Sequence, residues 1–197
     1  MAINIHEIIG NALLEMCKTR PLASITVKEI LDETGVSRQA FYNRFRDKND
    51  LIQWVYEHKV LSEFLKSGRA SSYYLNTLNF YRAINVYRDF MRQACRMEGQ
   101  NCLTDFIYAY ATDYDLKWHQ YYYGPEPLPR DLVFASRYHS VASISTLVDW
   151  ILSDNPESPE VMARRITSIR KINFSDAIFG KDNPYYAIPD AEPEGLD

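Results

Sequence analysis

The stretch Thr26–Asp50 constrains this chain more than any other, because its residue pattern is that of two short helices joined by a tight turn. Apolar residues recur at helical spacing on both sides of one glycine: Val27, Ile30, Leu31, Val36, Ala40 and Phe41. Gly35 separates the two groups, and glycine adopts the positive φ that such a turn requires. The stretch therefore predicts a helix-turn-helix.

The second of these helices has polar side chains on its remaining surface. They are Ser37, Arg38, Gln39, Tyr42, Asn43 and Arg44. An exposed helix with this set of hydrogen-bonding groups is suited to the major groove of double-stranded DNA. The alternative is a helical hairpin with a solvated polar surface. A predicted capping box from Thr26 to Glu29, the turn glycine and the neighbouring basic residues together favour DNA binding.

The charge distribution is compatible with that prediction, although the chain carries a formal net charge of -4. Residues 1–50 hold seven basic and seven acidic side chains, and the remaining residues hold fifteen and nineteen. Arg38, Arg44, Arg46 and Lys48 lie within eleven residues of one another. Affinity for phosphates depends on local basic density, so the acidic remainder does not exclude DNA binding.

Helical periodicity continues through the rest of the chain, and no segment indicates a strand. The predicted long helices are 4–19, 73–97, 102–123, 130–153 and 159–174, with a further helix from about residue 47 to residue 66. We predict an all-α fold with four parts. These are a helix-turn-helix DNA-binding domain over 1–50, a connecting helix over 51–67, a helical effector-binding and dimerisation domain over 68–179, and an acidic, proline-rich tail over 180–197.

The motif ITVKEILDETGVSRQAFYNRFRDKNDLI resembles the DNA-binding domain of the TetR family of bacterial transcriptional regulators. The resemblance implies that Thr26, Tyr42 and Lys48 contact phosphates. It also implies that Ser37, Arg38, Gln39 and Asn43 lie nearest to base edges, as the chemistry of bidentate Arg–guanine and Gln–adenine pairs suggests independently. Arg44 is included among the DNA-binding residues, with a plain surface charge as the alternative. Gln39 and Ala40 stand where the family often has Gly and Thr, which leaves the operator sequence open.

Aromatic residues are concentrated in the middle of the chain, and Phe106, Tyr110, Tyr114 and Trp118 follow one another at spacings of four. A core stripe is one interpretation. The other is a small-molecule pocket, because a buried tyrosine hydroxyl needs a partner and rings with a few polar groups are typical of ligand sites. The resemblance implies an effector pocket in these helices. The predicted ligand-binding residues are Phe90, Tyr110, Tyr114 and Trp118, with Cys95 and His119 as weaker candidates.

The helix 130–153 carries small residues beside apolar ones, as in Ala142, Ser143 and Ser145, which permits close approach of another helix. Burial within one subunit is the alternative. The resemblance implies that the last two main helices form a four-helix interface in a homodimer. A homodimer would read an inverted-repeat operator, and the resemblance implies a ligand-responsive repressor. A protein of the same family that acts mainly through protein contacts is the competing hypothesis.

Catalytic, metal and membrane functions find no support in the pattern. Four histidines are scattered, and HExxH, CxxC and a phosphate-binding glycine loop are missing from the sequence. The three cysteines are each expected to be buried and reduced. No apolar run approaches the roughly 18 to 20 residues of a membrane helix. We expect a cytoplasmic protein without a cofactor that is not an enzyme.

Overall fold

The computed structural model of the chain describes residues 4–66 and 73–173, and all regular secondary structure within them is helical. The helices before the gap are α1 Ile5–Met16, a short 3-10 turn Leu22–Ser24, α2 Val27–Thr34, α3 Arg38–Tyr42, α4 Lys48–Val55, a π-helical segment Tyr56–Leu61 and α5 Ser62–Leu65. Those after it are α6 Tyr73–Val86, α7 Arg88–Cys95, α8 Leu103–Tyr123, α9 Arg130–Leu152 and α10 Pro159–Asn173. The predicted boundary near residue 68 and the predicted tail lie outside the described residues.

Helices α1 to α4 form an N-terminal unit around a small apolar core. Ile9, Leu13, Ile30, Phe41 and Leu51 are all fully buried there. Each of these residues belongs to an apolar row of an amphipathic helix, so burying the rows against one another leaves the polar sides outward.

Two local signals begin and end the helices of the helix-turn-helix as the sequence predicts. The Thr26 hydroxyl accepts a hydrogen bond from the Glu29 amide, and the Glu29 carboxylate accepts one from the Thr26 amide, which completes the capping box at the start of α2. Gly35 ends α2 at φ 67°, a conformation that L-residues with a Cβ rarely adopt. Ser37 then caps α3 through the Ala40 amide.

One continuous helical rod, formed by α4, the π-helical segment and α5, connects the N-terminal unit to the remaining helices. Asp47 caps its start by accepting a hydrogen bond from the Asp50 amide at 2.8 Å. Its first half contributes Leu51 and Val55 to the N-terminal core, and its second half carries Tyr56 and Phe64 against α6 and α8. The rod therefore contacts both parts of the molecule.

Helices α6 to α10 form the body, in which α6 packs on α10 and α8 packs on α9. The predicted helix 73–97 is interrupted at Tyr87, where ψ is 28°, so it becomes α6 and α7. Its local pattern has no proline or glycine. The break coincides with a tertiary contact: the Arg88 guanidinium donates hydrogen bonds to the carbonyls of Trp150, Ile151 and Ser153 at the end of α9. A cation at a helix C-terminus also complements the helix dipole.

Among the described helices, none combines the length and the apolar character that crossing a lipid bilayer demands.

Candidate nucleic-acid interface and inter-helix cavity

Helix α3 presents most of its predicted DNA-binding side chains to solvent. Phe41 lies in the core of the N-terminal unit, and this burial orients the helix. The exposed residues of the predicted set on α3 and its caps are Ser37, Arg38, Gln39, Tyr42 and Asn43. Arg44 is half-buried, and its guanidinium donates to the Ala40 carbonyl at 2.8 Å. These side chains therefore lie on one side of the molecule, with Arg44 at its edge.

Contacts within this surface hold the longer side chains in place. The Gln39 amide donates to the Asn43 side-chain oxygen at 2.8 Å, which couples two amides one helical turn apart. Each amide has further hydrogen-bonding capacity for a base edge. The Arg38 guanidinium lies over the Tyr42 ring, 5.4 Å from its centroid. Such a contact limits the rotamers of both side chains before any DNA binds.

Thr26 and Lys48, the predicted phosphate contacts at the edges of this surface, both donate hydrogen bonds to other residues of the protein. The Thr26 hydroxyl donates to Glu29 as part of the capping box. The Lys48 ammonium donates to the carbonyls of Leu22, Ala23 and Ile25 at 3.0, 3.1 and 2.7 Å. An ammonium has three hydrogens, so these contacts account for all of them. In this structure Lys48 holds the turn that precedes α2, and a phosphate would compete with that role.

Amide side chains join the N-terminal unit to the body. Gln93 of α7 accepts a hydrogen bond from the Leu22 amide at 2.5 Å and donates one to the Cys17 carbonyl at 2.9 Å. Asn49 and Gln53 of α4 donate to backbone carbonyls in the loop between α7 and α8. Gln93 and Lys48 therefore hold the same loop between α1 and α2 from two sides. A displacement of α7 or α8 is thereby connected to the helices that carry the exposed polar surface.

An inter-helix cavity of about 100 Å³ lies in the body. Its apolar and aromatic lining residues are Tyr56, Leu61, Phe64, Phe80, Tyr81, Ile107, Tyr110, Ala111, Tyr114, Ile144, Leu147 and Ile166. Its polar lining residues are Tyr73, Thr77, Asp115, His139, Ser140 and Ser143. Tyr56, Leu61 and Phe64 belong to the connecting rod, so the cavity lies directly against the element that leads to the N-terminal unit.

The polar residues of the cavity are organised around a buried ion pair. Asp115 of α8 accepts hydrogen bonds from Arg170 of α10 at 3.1 Å and from Ser140 of α9 at 2.9 Å. The Arg170 guanidinium lies over the rings of Tyr73 and Trp118. Four helices thus meet at one buried charge pair, and removal of either partner of such a pair is strongly destabilising.

Two buried histidines flank this pair and are neutral near pH 7. Desolvation by burial, with a further contribution from Arg170, lowers the pKa of His119 to about 3 and that of His139 to about 4. The Ser136 hydroxyl donates to the Leu132 carbonyl, so the Nδ1–H of His119 donates to the Ser136 oxygen at 2.9 Å. The imidazoles act here as hydrogen-bonding groups without charge.

Tyr110 and Tyr114 of the predicted ligand-binding residues line the cavity, and Phe90 and Trp118 do not. For these two residues the ligand-binding role stays a prediction. Phe90 is fully buried in the apolar core on α7. The Trp118 ring is one turn beyond the cavity and covers the Arg170 guanidinium. Cys95 and His119, the weaker candidates, are also missing from the lining.

Sequence reasoning missed the polar part of the cavity. Asp115 lies three residues before Trp118 of the aromatic row, and this spacing is a usable signal that it lies close to the same helix face. Its partner Arg170 lies 55 residues later, and nothing in the local pattern connects the two. His139, Ser140 and Ser143 were noted only as part of the helix expected to meet a second subunit.

The outer side of α9 exposes large apolar side chains. Phe134, Tyr138 and Val141 are 71%, 64% and 52% exposed and follow one another at spacings of four and three, so they lie on one helix face. Ile169 of α10 is also exposed. Contiguous apolar surface of this kind is typical of an interaction site.

Two protein-family models match the chain. The model described as bacterial regulatory proteins, tetR family, matches residues 9–55, and the model described as transcriptional regulator C-terminal region matches residues 73–171, half of the chain. Over 53 residues, 27% of the chain, the sequence is 28% identical to the HTH-type dhaKLM operon transcriptional activator DhaS of Lactococcus lactis subsp. lactis (strain IL1403). That stretch spans 28% of the length of this relative.

Solved structures share the fold over most of the chain. The dihydroxyacetone kinase operon activator DhaS aligns with a TM-score of 0.62 and 17% identity, covering 83% of this chain and 92% of its own. A TetR transcriptional regulator from Streptococcus agalactiae 2603V aligns with a TM-score of 0.57 and 18% identity over the same shares. At these identities the likeness shows the arrangement of the helices.

Proposed function

The chain belongs to the TetR family of bacterial regulatory proteins and is a transcriptional regulator, and on this basis we propose that it binds an inverted-repeat operator as a homodimer and responds to a small-molecule effector. The observation that carries the proposal is the exposed polar surface of α3, held outward by the buried Phe41. In this proposal Arg38, Gln39 and Asn43 contact base edges, Ser37 lies beside them, and Tyr42 and Arg44 contact phosphates.

The structure changes the roles that we propose for Thr26 and Lys48. Both side chains are engaged in contacts that hold the start of α2, so we propose that they position the helix-turn-helix and that phosphates are contacted by backbone amides and other donors nearby. Their substitution would then lower DNA affinity through the shape of the N-terminal unit.

A homodimer through α9 and α10 would cover the exposed face of Phe134, Tyr138 and Val141. Tyr138→Glu would place a charge in that interface and is expected to give monomers in size-exclusion chromatography with light scattering. Val86→Glu is the control, because Val86 is also a strongly exposed apolar residue and lies on α6. A dimeric Tyr138→Glu protein would contradict the proposed interface.

Two such subunits would present their α3 helices to successive major grooves, about 34 Å apart. An effector that fits the cavity better at another separation would change operator affinity by its differential binding to the two states, of order 1–3 kcal/mol. The connecting rod and the Gln93, Asn49 and Gln53 contacts are the physical links available for this coupling.

Repression that is relieved by the effector is the first proposed outcome at the promoter. Activation is the second candidate, because DhaS, the relative matched over 53 residues, is named an operon activator. A reporter gene behind the selected operator distinguishes them, since deletion of the regulator raises expression under repression and lowers it under activation.

The test of DNA binding is selection of genomic fragments by the purified protein, followed by fluorescence anisotropy across salt concentrations. We expect an enriched inverted repeat and a logarithm of the affinity that falls steeply with the logarithm of the salt concentration. Failure to enrich any inverted repeat, with a flat salt dependence, would favour the competing hypothesis of a protein that acts through protein contacts.

A further inference from the structure

The cavity chemistry narrows the class of molecule that this regulator can accept. We propose that the inter-helix cavity binds an uncharged molecule about the size of one aromatic ring, with a hydroxyl or carbonyl group at the end that meets His139 and Ser143. The inference rests on the proposed function only where that molecule is called an effector, and its binding is measurable without DNA.

Size is the first argument, because the volume of the cavity limits the ligand. The cavity volume is about 100 Å³, which is smaller than an engineered apolar cavity of about 150 Å³ that holds one benzene molecule in another protein. A molecule of about one ring is therefore the largest that this volume admits, and fused ring systems and long acyl chains exceed it.

Shape is the second argument, because aromatic rings form much of the wall. The rings of Tyr110 and Tyr114 are nearly parallel, with centroids 6.5 Å apart. Phe64 meets Tyr114 and Phe80 edge to face at 5.6 and 6.0 Å. Walls that offer both ring faces and ring edges favour a flat apolar or aromatic group.

Charge is the third argument, because the charges near the cavity disfavour an ionic ligand. Among the described residues that line the cavity, Asp115 is the one with a formal charge, and Arg170 and Ser140 already occupy its carboxylate. A bound carboxylate or phosphate would lie beside Asp115, and the described part of the lining offers it neither a lysine nor an arginine. A bound cation would have to compete with the hydrogen-bonded Arg170. Either ion would lose its hydration without gaining an unshared counter-charge, which is costly.

The hydrogen-bonding end is the fourth argument. The Ser143 hydroxyl and His139 Nε2 both belong to the lining and are 3.4 Å apart, at the long limit of a hydrogen bond. Burial lowers the pKa of His139, so the imidazole is neutral at pH 7 and can serve a hydroxyl or a carbonyl. Because the contact between these two side chains is long, a ligand oxygen that meets the Ser143 hydroxyl replaces a weak hydrogen bond between them.

The probes are benzyl alcohol, benzoate and benzylamine, which share a ring and differ in charge. Their binding to the full chain is measured at pH 7 by calorimetry and by the shift of the thermal unfolding midpoint. We expect benzyl alcohol to bind and to raise the midpoint in proportion to its concentration, and benzoate and benzylamine to bind at least tenfold more weakly. Benzoate binding as tight as that of benzyl alcohol would overturn the proposal.

Substitutions in the cavity wall test whether benzyl alcohol binds in the cavity. Ala111 lines the cavity and Ala109 is exposed on the same helix, so Ala111→Phe is expected to abolish benzyl alcohol binding and Ala109→Phe to leave it unchanged. If Ala111→Phe does not fold, Ser143→Ala serves instead, with an expected severalfold loss for benzyl alcohol and no change for toluene. If benzyl alcohol binds the cavity variant as tightly as it binds the unmodified protein, the ligand binds elsewhere and the assignment is wrong.

The outcomes separate this inference from the regulatory proposal. If benzyl alcohol binds the cavity and leaves operator affinity unchanged, the ligand class stands and the effector role of the cavity fails. If none of the probes binds while the protein still selects an inverted repeat, the ligand class fails and the DNA-binding proposal stands.

Discussion

Replacing Lys48 by methionine tests whether this residue stabilises the turn before α2 or contacts a DNA phosphate. The substitution keeps an unbranched side chain that is one heavy atom shorter, and it removes the ammonium that donates to the carbonyls of Leu22, Ala23 and Ile25. Hydrogen bonds from a charged donor contribute about 1.5–3 kcal/mol each when buried. Here three bonds share one half-buried ammonium, and desolvation already lowers the pKa of Lys48, which partly offsets them.

The expected net loss is about 2 kcal/mol of unfolding free energy. For a chain of this length that corresponds to a decrease of about 4–8 °C in the unfolding midpoint. Differential scanning calorimetry of the protein without DNA measures it. Lys117→Met is the matched control, since Lys117 makes only an exposed ion pair with Asp113, and such pairs contribute little.

The salt dependence of operator binding distinguishes a positioning role of Lys48 from a phosphate contact. A residue that positions the helices leaves the slope of log affinity against log salt unchanged when it is replaced. A residue that contacts one phosphate reduces the slope by about one when it is lost. If Lys48→Met keeps the midpoint within a degree of the unmodified protein and reduces the slope by about one, the positioning role is wrong and the phosphate contact is right.

Three further results are expected. Arg38→Ala should cost about 1–3 kcal/mol on the selected operator and much less on scrambled DNA in anisotropy titrations, and an equal loss on both would remove Arg38 from base recognition. His119 and His139 have lowered pKa values in the folded protein, so between pH 6.5 and about 4 the unfolded chain binds more protons and stability falls as pH falls. Urea denaturation at pH 7 and pH 5 should show that the unfolding free energy decreases by up to about 1.4 kcal/mol per pH unit for each histidine. His139→Asn should make this decrease smaller. A urea midpoint that does not change with pH would contradict the buried neutral state of the two histidines. Gln93→Glu keeps the acceptor for the Leu22 amide and loses the donor to the Cys17 carbonyl, so it should lower the unfolding free energy by about 1 kcal/mol. Gln93→Leu loses both hydrogen bonds and should lower the calorimetric midpoint further. Equal midpoints for the two variants would contradict the bridging role of Gln93.

The features that could be predicted from sequence are those whose partners lie close together in the chain. The capping box needs only Thr26 and Glu29, three residues apart, and Gly35 ends α2 through its own backbone conformation. The exposed side of α3 follows from the same short-range periodicity, because burial of Phe41 determines which side chains face outward.

The features that were missed depend on partners far away in the chain. Lys48 bonds to carbonyls 23 to 26 residues earlier, and Arg88 bonds to carbonyls more than 60 residues later. The interruption at Tyr87 and the contacts that suggest a positioning role for Lys48 therefore have no local signal. Similarly, Phe90 and Tyr110 have the same aromatic character in the sequence, and only the packing of the helices puts one in the core and the other against the cavity.

The π-helical segment Tyr56–Leu61 has a consequence for how relatives of this chain can diverge. A π turn holds one residue more than an α turn of similar rise, so deleting one codon within the segment would convert it to an α-helix without breaking the rod. Because the π turn already accommodates the extra residue, the two halves would keep nearly the same rotation about the helix axis. A deletion of one codon in the α-helical part of the rod would instead turn the halves by about 100° relative to each other. Circular dichroism should show the same helix content for both deletions, whereas operator binding by the dimer should be retained after the first and lost after the second. The π-helical segment is thus the place where the rod can change its length by one residue without changing the rotational phase between the cavity and the DNA-facing helices.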